Sequence, residues 1–263
     1  MEILEKMASY SEMCWDNTLE KSPDKFSVVL NKESLNELNL KRNNLYNENP
    51  NEFEFLNKYV KNLKNEILIK GCGFFVINGK ELSDFTVKEK RSIYLIISKI
   101  IGKLLQQNKD KDEVVEVKDS GKSMKTGGRY HLTKEGGSYH TDGSHIFQNP
   151  PDYVGLLCVN PAKKGGISKF MSAYTIHNKL LQNKTLLQLL YEKFHHDKKN
   201  ENNESENLTR FEPIFQFTNN ELKSGDMMFS NNRWLIHDRT SFEDFEDKKL
   251  KRLLLRTWIR EEN

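Results

Sequence analysis

The chain has 263 residues, 36% of them hydrophobic and 30% charged, and its 41 basic and 38 acidic side chains leave a formal net charge of +3. That length suits one large domain. The near-balance of charge offers no basic stripe for a nucleic acid, and no apolar run reaches the roughly 18–20 residues of a membrane span.

Cys14, Cys72 and Cys158 are widely spaced and form no CxxC pair, which argues against a disulfide framework or a zinc knuckle. The first residues carry acidic groups and no apolar signal core, so a reducing cytoplasm is the expected compartment. Residues 1–50 are rich in Asn, Lys and Glu and read as a polar N-terminal extension, with one short strand at 26–30. Residues 51–69 read as an amphipathic helix, because Phe53, Leu56, Tyr59, Val60, Leu63 and Ile67 recur at three- and four-residue spacing. Residues 71–79, bounded by Gly71 and Gly79, read as a buried strand, and their glycines are too few for a dinucleotide loop. A second helix is expected over 86–106, with Ile93, Leu95, Ile96, Ile100 and Leu104 turned inward.

Residues 107–138 form a long polar stretch that ends in the pairs Gly127-Gly128 and Gly136-Gly137. A loop of that length is either disordered or functional. Its place just before the stretch 139–144 favours an active-site lid carrying Arg129.

Beyond it, Asn149-Pro150-Pro151 marks a turn, 153–159 a strand, 161–166 a turn and 167–171 a strand. A helix follows from Ser172 to about Leu190. Residues 195–208 are polar and low in complexity, so His195 and His196 read as surface residues of an exposed loop. Strands are expected at 211–217, 227–230, 234–237 and 252–260, with turns at 222–226 and 231–233. Many short strands after a helical first third predict a mainly β fold with flanking α: a double-stranded β-helix, or jelly roll, with helices packed outside, forming a single domain over 1–263.

Chemistry collects at Tyr139-His140-Thr141-Asp142-Gly143-Ser144. On extended backbone, His140 and Asp142 point to one face and offer two thirds of a 2-His-1-carboxylate facial triad, the ligand set of non-haem Fe(II) oxygenases. The bland alternative is an accidental pair on a surface strand. The best candidate for the third ligand is His237, far along the chain. Iron that activates O2 takes electrons from a co-substrate, most commonly 2-oxoglutarate, whose distal carboxylate needs a buried guanidinium. Arg252, on the expected next inward strand, fits that need, unless it is a surface arginine among Lys248, Lys249 and Lys251. Ser168 could add a hydroxyl donor. Arg129 either clamps an anionic substrate or is a solvated lid residue. His131 and His145 flank the site and read as loop or supporting residues.

His140-Thr141-Asp142, Pro150-Pro151, Gly165-Gly166-Ile167-Ser168 with Ser172, the run from His237 to Asp244, and the span from Arg252 to Arg256 stand in an order that resembles the TauD/TfdA family of Fe(II)/2-oxoglutarate-dependent dioxygenases, with its clavaminate-synthase-like amino-acid hydroxylases. The resemblance spans about residues 71–260. It implies that His140, Asp142 and His237 bind iron, that Ser168 and Arg252 contact 2-oxoglutarate, and that Arg256 holds an anionic group of the primary substrate. Arg239 would brace the site from behind. The interval from the His-Thr-Asp stretch to His237 is short for the family, so covering insertions are expected to be trimmed. Retention of Asp142 disfavours halogenation.

The expected activity is hydroxylation of an unactivated C–H bond of a small carboxylate-bearing molecule, using Fe(II), 2-oxoglutarate and O2. Desaturation, cyclisation and epoxidation are the alternatives from the same chemistry, and a non-catalytic cupin-like binding protein is the alternative from a different class. The expected partner is a small-molecule substrate, with no nucleic acid and no membrane, and the chain is expected to act as a monomer or homodimer.

Overall fold

The computed structural model describes residues 12–126, 128–137, 139–143, 149–191, 194–197, 209–212, 217–220 and 224–262, with side chains left out over 191–223. Gly127, Ser138 and the stretch 144–148, including His145, lie outside these residues.

Two sheets organise the molecule. The larger runs β1 (Ser27–Val28), β2 (Phe74–Ile77), β11 (Met227–Asn231), β5 (Tyr153–Asn160), β14 (Leu253–Arg260) and β3 (Lys103–Leu105), with β4 (Val114–Val117) also paired to β14. The smaller runs β10 (Phe217–Asn220), β7 (Ser168–Ser172) and β12 (Leu235–Arg239). Two short pairs complete the strands: β6 (Lys164–Gly165) with β13 (Phe242–Glu243), and β8 (Phe194–Asp197) with β9 (Thr209–Glu212). All these pairings are antiparallel except β1 with β2.

The period of two along each strand sorts side chains between two apolar layers. Phe75 and Ile77, Met227 and Phe229, Tyr153 and Leu157, and Leu255 and Ile259 leave one face of the large sheet and join the core made by α1 (Lys32–Leu40), α2 (Glu54–Leu63) and α3 (Val87–Ile101). Phe74, Met228, Cys158 and Leu254 leave the other face and meet Phe170 and Leu235 of the small sheet. The Phe74 and Phe170 rings stack with centroids 4.9 Å apart, which joins the two sheets at one end of the space between them. The result is the expected jelly roll with helices outside.

Several expectations shift. The segment 12–50 is not a peripheral extension: Trp15, Leu30, Leu38 and Leu45 are buried core residues. The helix expected over 86–106 stops at Gly102, and 103–105 turn into β3. A Cβ at Gly102 would meet the Arg260 carbonyl at 2.1 Å, so strand β14 passes too close for the helix to continue. The helix expected from Ser172 to Leu190 is two, α4 (Ala173–Leu180) and α5 (Lys184–Tyr191), because the Asn183 side chain caps the second by accepting from the Leu186 N–H. His195 and His196 lie on strand β8, not in a loop. Of the strand expected at 211–217, Phe211 and Glu212 lie on β9 and Phe217 on β10, and residues 213–216 lie outside the described residues. No described helix is long and apolar enough to cross a membrane.

Candidate functional site

His140 and His237 face each other through an isolated antiparallel bridge. Each backbone N–H donates to the other's carbonyl at 2.9 Å, so both side chains leave the same side of the pair. Their ring centroids are 4.5 Å apart. Asp142 arrives differently from the sequence expectation. Residues 142–143 form a turn, with Gly143 at φ 70°, so its carboxylate swings in from a turn rather than from the next inward position of a strand. Asn232 fixes that turn: its Oδ1 accepts from the Asp142 N–H at 2.8 Å and its Nδ2 donates to the Asp142 carbonyl at 3.0 Å.

One ligand atom from each of His140, Asp142 and His237 lies within 4.8 Å of the other two. Asp142 Oδ1 is 3.4 Å from His140 Nε2 and 3.8 Å from His237 Nε2. Burial first, and the neighbouring His140 second, lower the His237 pKa to about 4, so its ring is unprotonated near pH 7. Burial alone would raise the Asp142 pKa, but Arg256 and the two imidazoles outweigh it and hold the group well below the ordinary carboxylate range. Two imidazoles and one anionic oxygen converging on one point are a donor set that fits a divalent first-row ion.

The three side chains line one pocket of about 590 Å3, its solvent-open mouth included. Ser168, Arg252 and Arg256 line it too. Arg252 is 4% exposed, and its Nη1 has no hydrogen-bond partner among the described residues. Its guanidinium lies over the Phe242 ring, 4.9 Å from the centroid. Burial, then the nearby Arg239, lower its pKa only to about 10, so it stays cationic. Gly166 makes room for it: φ is +71°, and a Cβ there would come within 3.0 Å of the Arg252 Nε. A buried cation with an unused donor, beside the Ser168 hydroxyl, fits the distal carboxylate of a dicarboxylic co-substrate.

Arg256 is already engaged. Its Nε donates to Gln107 Oε1 at 2.9 Å, its Nη1 stands 3.3 Å from Asp142 Oδ2, and it packs over the Trp258 ring. The Trp258 indole N–H donates to Asp142 Oδ2 at 2.7 Å. Arg129 is exposed and does not line the pocket, whereas His131 and Tyr130 do. The stretch expected to be a lid begins as sheet, since β4 pairs with β14. Val117 of β4 lines the pocket, and so do Tyr130 and His131 of the second half. There Arg239 Nη2 donates to the Thr133 and Glu135 carbonyls, and the Tyr130 hydroxyl donates to Asp238 Oδ1.

Sequence reasoning misses Gln107, Tyr130, Asn232 and Trp258. Trp258 has a signal: it follows Arg252, Leu254 and Arg256 at a spacing of two, on the face that lines the pocket. Gln107 and Asn232 have none, since their partners Arg256 and Asp142 are 149 and 90 residues away.

The model of the family described as "Taurine catabolism dioxygenase TauD, TfdA family" matches residues 49–220, a span that includes His140, Asp142 and Ser168 and stops before His237 and Arg252. FR-33289 synthase of Streptomyces rubellomurinus (strain ATCC 31215) is 26% identical over 250 residues, covering 75% of this chain and 72% of that protein. An asparagine oxygenase in complex with Fe(II), 2S,3S-3-hydroxyasparagine and succinate shares the fold with a TM-score of 0.64 at 14% identity, over 89% of this chain and 93% of that one. The non-heme iron oxygenase OrfP in complex with Fe and alpha-ketoglutaric acid does so with a TM-score of 0.65 at 12% identity, over 90% and 94%. With more than half of its length matched, the chain belongs to the TauD/TfdA family of Fe(II)/2-oxoglutarate-dependent dioxygenases.

Proposed function

We propose that the protein hydroxylates an unactivated C–H bond of a small carboxylate-bearing molecule, an amino acid or an intermediate of a specialised metabolite. The observation that carries this reading is the convergence, in one pocket, of the His140–Asp142–His237 cluster with the buried, incompletely paired cation of Arg252. Two fold relatives support the substrate class by what they hold: 3-hydroxyasparagine in the asparagine oxygenase and (3S)-hydroxy-L-Arg in OrfP.

Ferrous iron with 2-oxoglutarate and O2 supplies the oxidising chemistry, 2-oxoglutarate leaving as succinate and CO2. In this assignment His140, Asp142 and His237 hold the metal, and Arg252 with Ser168 holds the co-substrate's distal carboxylate. Arg256 Nη2 makes no hydrogen bond among the described residues and is offered to a substrate carboxylate. Val154, Leu156, Met228 and Leu254 line the same space and exclude water from the reacting bond. Residues 128–137 act as a lid over the mouth. Arg129, exposed as it stands, reaches the substrate only if that segment moves. A reducing compartment is consistent with three free thiols, Cys14, Cys72 and Cys158.

The test is a screen of amino acids and related small acids with Fe(II), 2-oxoglutarate and O2, scored by succinate and by product mass. A substrate that gains one oxygen atom in step with succinate supports the reading. A product that only loses two hydrogens replaces hydroxylation by desaturation. No succinate with any substrate, from protein shown to be metal-loaded, overturns catalysis in favour of a binding role.

A further inference from the structure

The two oxygens of Asp142 stand in different surroundings. Oδ1 faces the imidazoles, 3.4 Å from His140 Nε2 and 3.8 Å from His237 Nε2. Oδ2 faces away from them and accepts the Trp258 indole N–H at 2.7 Å. Arg256 Nη1 straddles the pair, at 3.5 Å from Oδ1 and 3.3 Å from Oδ2. Arg256 is itself held by Gln107, which accepts from its Nε and donates to its carbonyl. The backbone at Asp142 is clamped separately by Asn232. Position is thus fixed at the main chain, and rotation of the carboxylate is fixed at Oδ2.

That asymmetry has a chemical consequence. A facial triad leaves three metal positions open only if its carboxylate uses one oxygen. A carboxylate free to turn can place both oxygens on the ion and fill a position that co-substrate or O2 requires. An indole N–H suits the task of preventing this, because it donates one hydrogen bond, accepts none and carries no charge. Trp258 is 2% exposed and its ring packs against Arg256 in the interior, so the donor cannot easily move off its acceptor.

We propose that Trp258 is a positioning residue that holds Asp142 to one-oxygen metal coordination by occupying Oδ2, while Arg256, itself held by Gln107, stands against both oxygens from the side. This rests on the metal reading of the site given above. Freed of the indole N–H, the carboxylate could turn both oxygens to the ion, so the change to expect is in ligand geometry rather than a loss of affinity.

The experiment uses the full chain and Co(II), which reports its ligand geometry in the visible spectrum and is stable in air. Two variants are compared with the parent: Trp258→Phe, and Trp258 replaced by 3-benzothienylalanine, which keeps the ring's size and lacks only the N–H. Both should bind Co(II) with ligand-field bands shifted and weakened towards a higher coordination number. The isosteric variant should keep the parent's circular dichroism and apo melting temperature. If that folded variant binds Co(II) with a spectrum superimposable on the parent's, Trp258 does not position Asp142, and the inference fails alone. If the parent itself binds no Co(II), the metal reading fails and takes the inference with it.

Discussion

Arg252 is the side chain whose surroundings ask most clearly for a ligand. It is buried, cationic, stacked on Phe242 and has a donor left over. Removing a charged partner from a desolvated site costs on the order of 2–5 kcal/mol. Arg252→Leu should therefore raise the KM for 2-oxoglutarate at least about 30-fold, read by succinate formation, while metal affinity stays near that of the parent. Equal KM values would remove Arg252 from the co-substrate site. His237 carries a pH signature of its own. Its pKa in the fold is about 4, below the ordinary 6.5. The unfolded chain then binds a proton that the folded chain refuses, so stability from this residue is complete above pH 6.5 and drains away as pH falls towards 4. Urea unfolding of the apo protein between about pH 7 and pH 4 should show that loss, and His237→Gln should flatten it. A slope unchanged by the substitution would assign the loss to other groups.

At the scale of elements, α3 backs the sheet that carries the pocket. Its first turn is a capping box, in which Glu89 N–H donates to Thr86 Oγ1 and Thr86 N–H donates to Glu89 Oε2. Such a cap contributes about 1 kcal/mol. Glu89 has a second duty, since Arg42 of the N-terminal segment binds it at 2.7 Å. That hydrogen bond, with Thr86, pulls the Glu89 pKa from 4.5 to about 2. A depressed carboxylate stabilises above its unfolded pKa and loses that contribution as pH falls through the folded one. The stability gap between parent and Glu89→Gln should thus be full above about pH 4.5 and close between 4.5 and 2. A gap that persists at about pH 2 would mean that packing, not charge, sets the effect. The segment 130–137 obeys the same logic of a few defined contacts. Arg239→Lys keeps a charge but loses the Nη2 group that reaches the Thr133 and Glu135 carbonyls. Amide exchange over 130–137 should quicken in that variant while exchange in α3 stays as in the parent.

For the whole molecule, the site lies between the two sheets, and its three metal-facing groups come from segments nearly a hundred residues apart in sequence. A metal that binds only the folded chain stabilises it by about 2.7 kcal/mol at a hundredfold excess over Kd. For a chain of this size that corresponds to a rise of roughly 5–10 °C in melting temperature. Fe(II) or Co(II) under anaerobic conditions should produce such a rise, EDTA should reverse it, and Asp142→Asn should abolish it. A melting temperature indifferent to metal in the parent would contradict the assignment.

What the sequence determined by itself was local or periodic. Strand alternation at 153–159 and 252–260 decides which residues face inward, so the even spacing of Arg252 and Arg256 is enough to put both on one face. Helical spacing accounts for α2 and most of α3, and the order of short motifs carries the family. The tertiary structure decided whatever depends on which distant segments meet. Gly102 is a local stop for α3, but the close pass of β14 that leaves no room for a side chain there belongs to the tertiary structure. Asp142 enters from a turn held by Asn232, Gln107 reaches Arg256 across 149 residues, and Trp258 finds the carboxylate of Asp142 across 116. The reason is physical. A side chain's identity states what it can donate or accept, but its partner is chosen by sheet registry and packing, and those are properties of the whole chain folded at once.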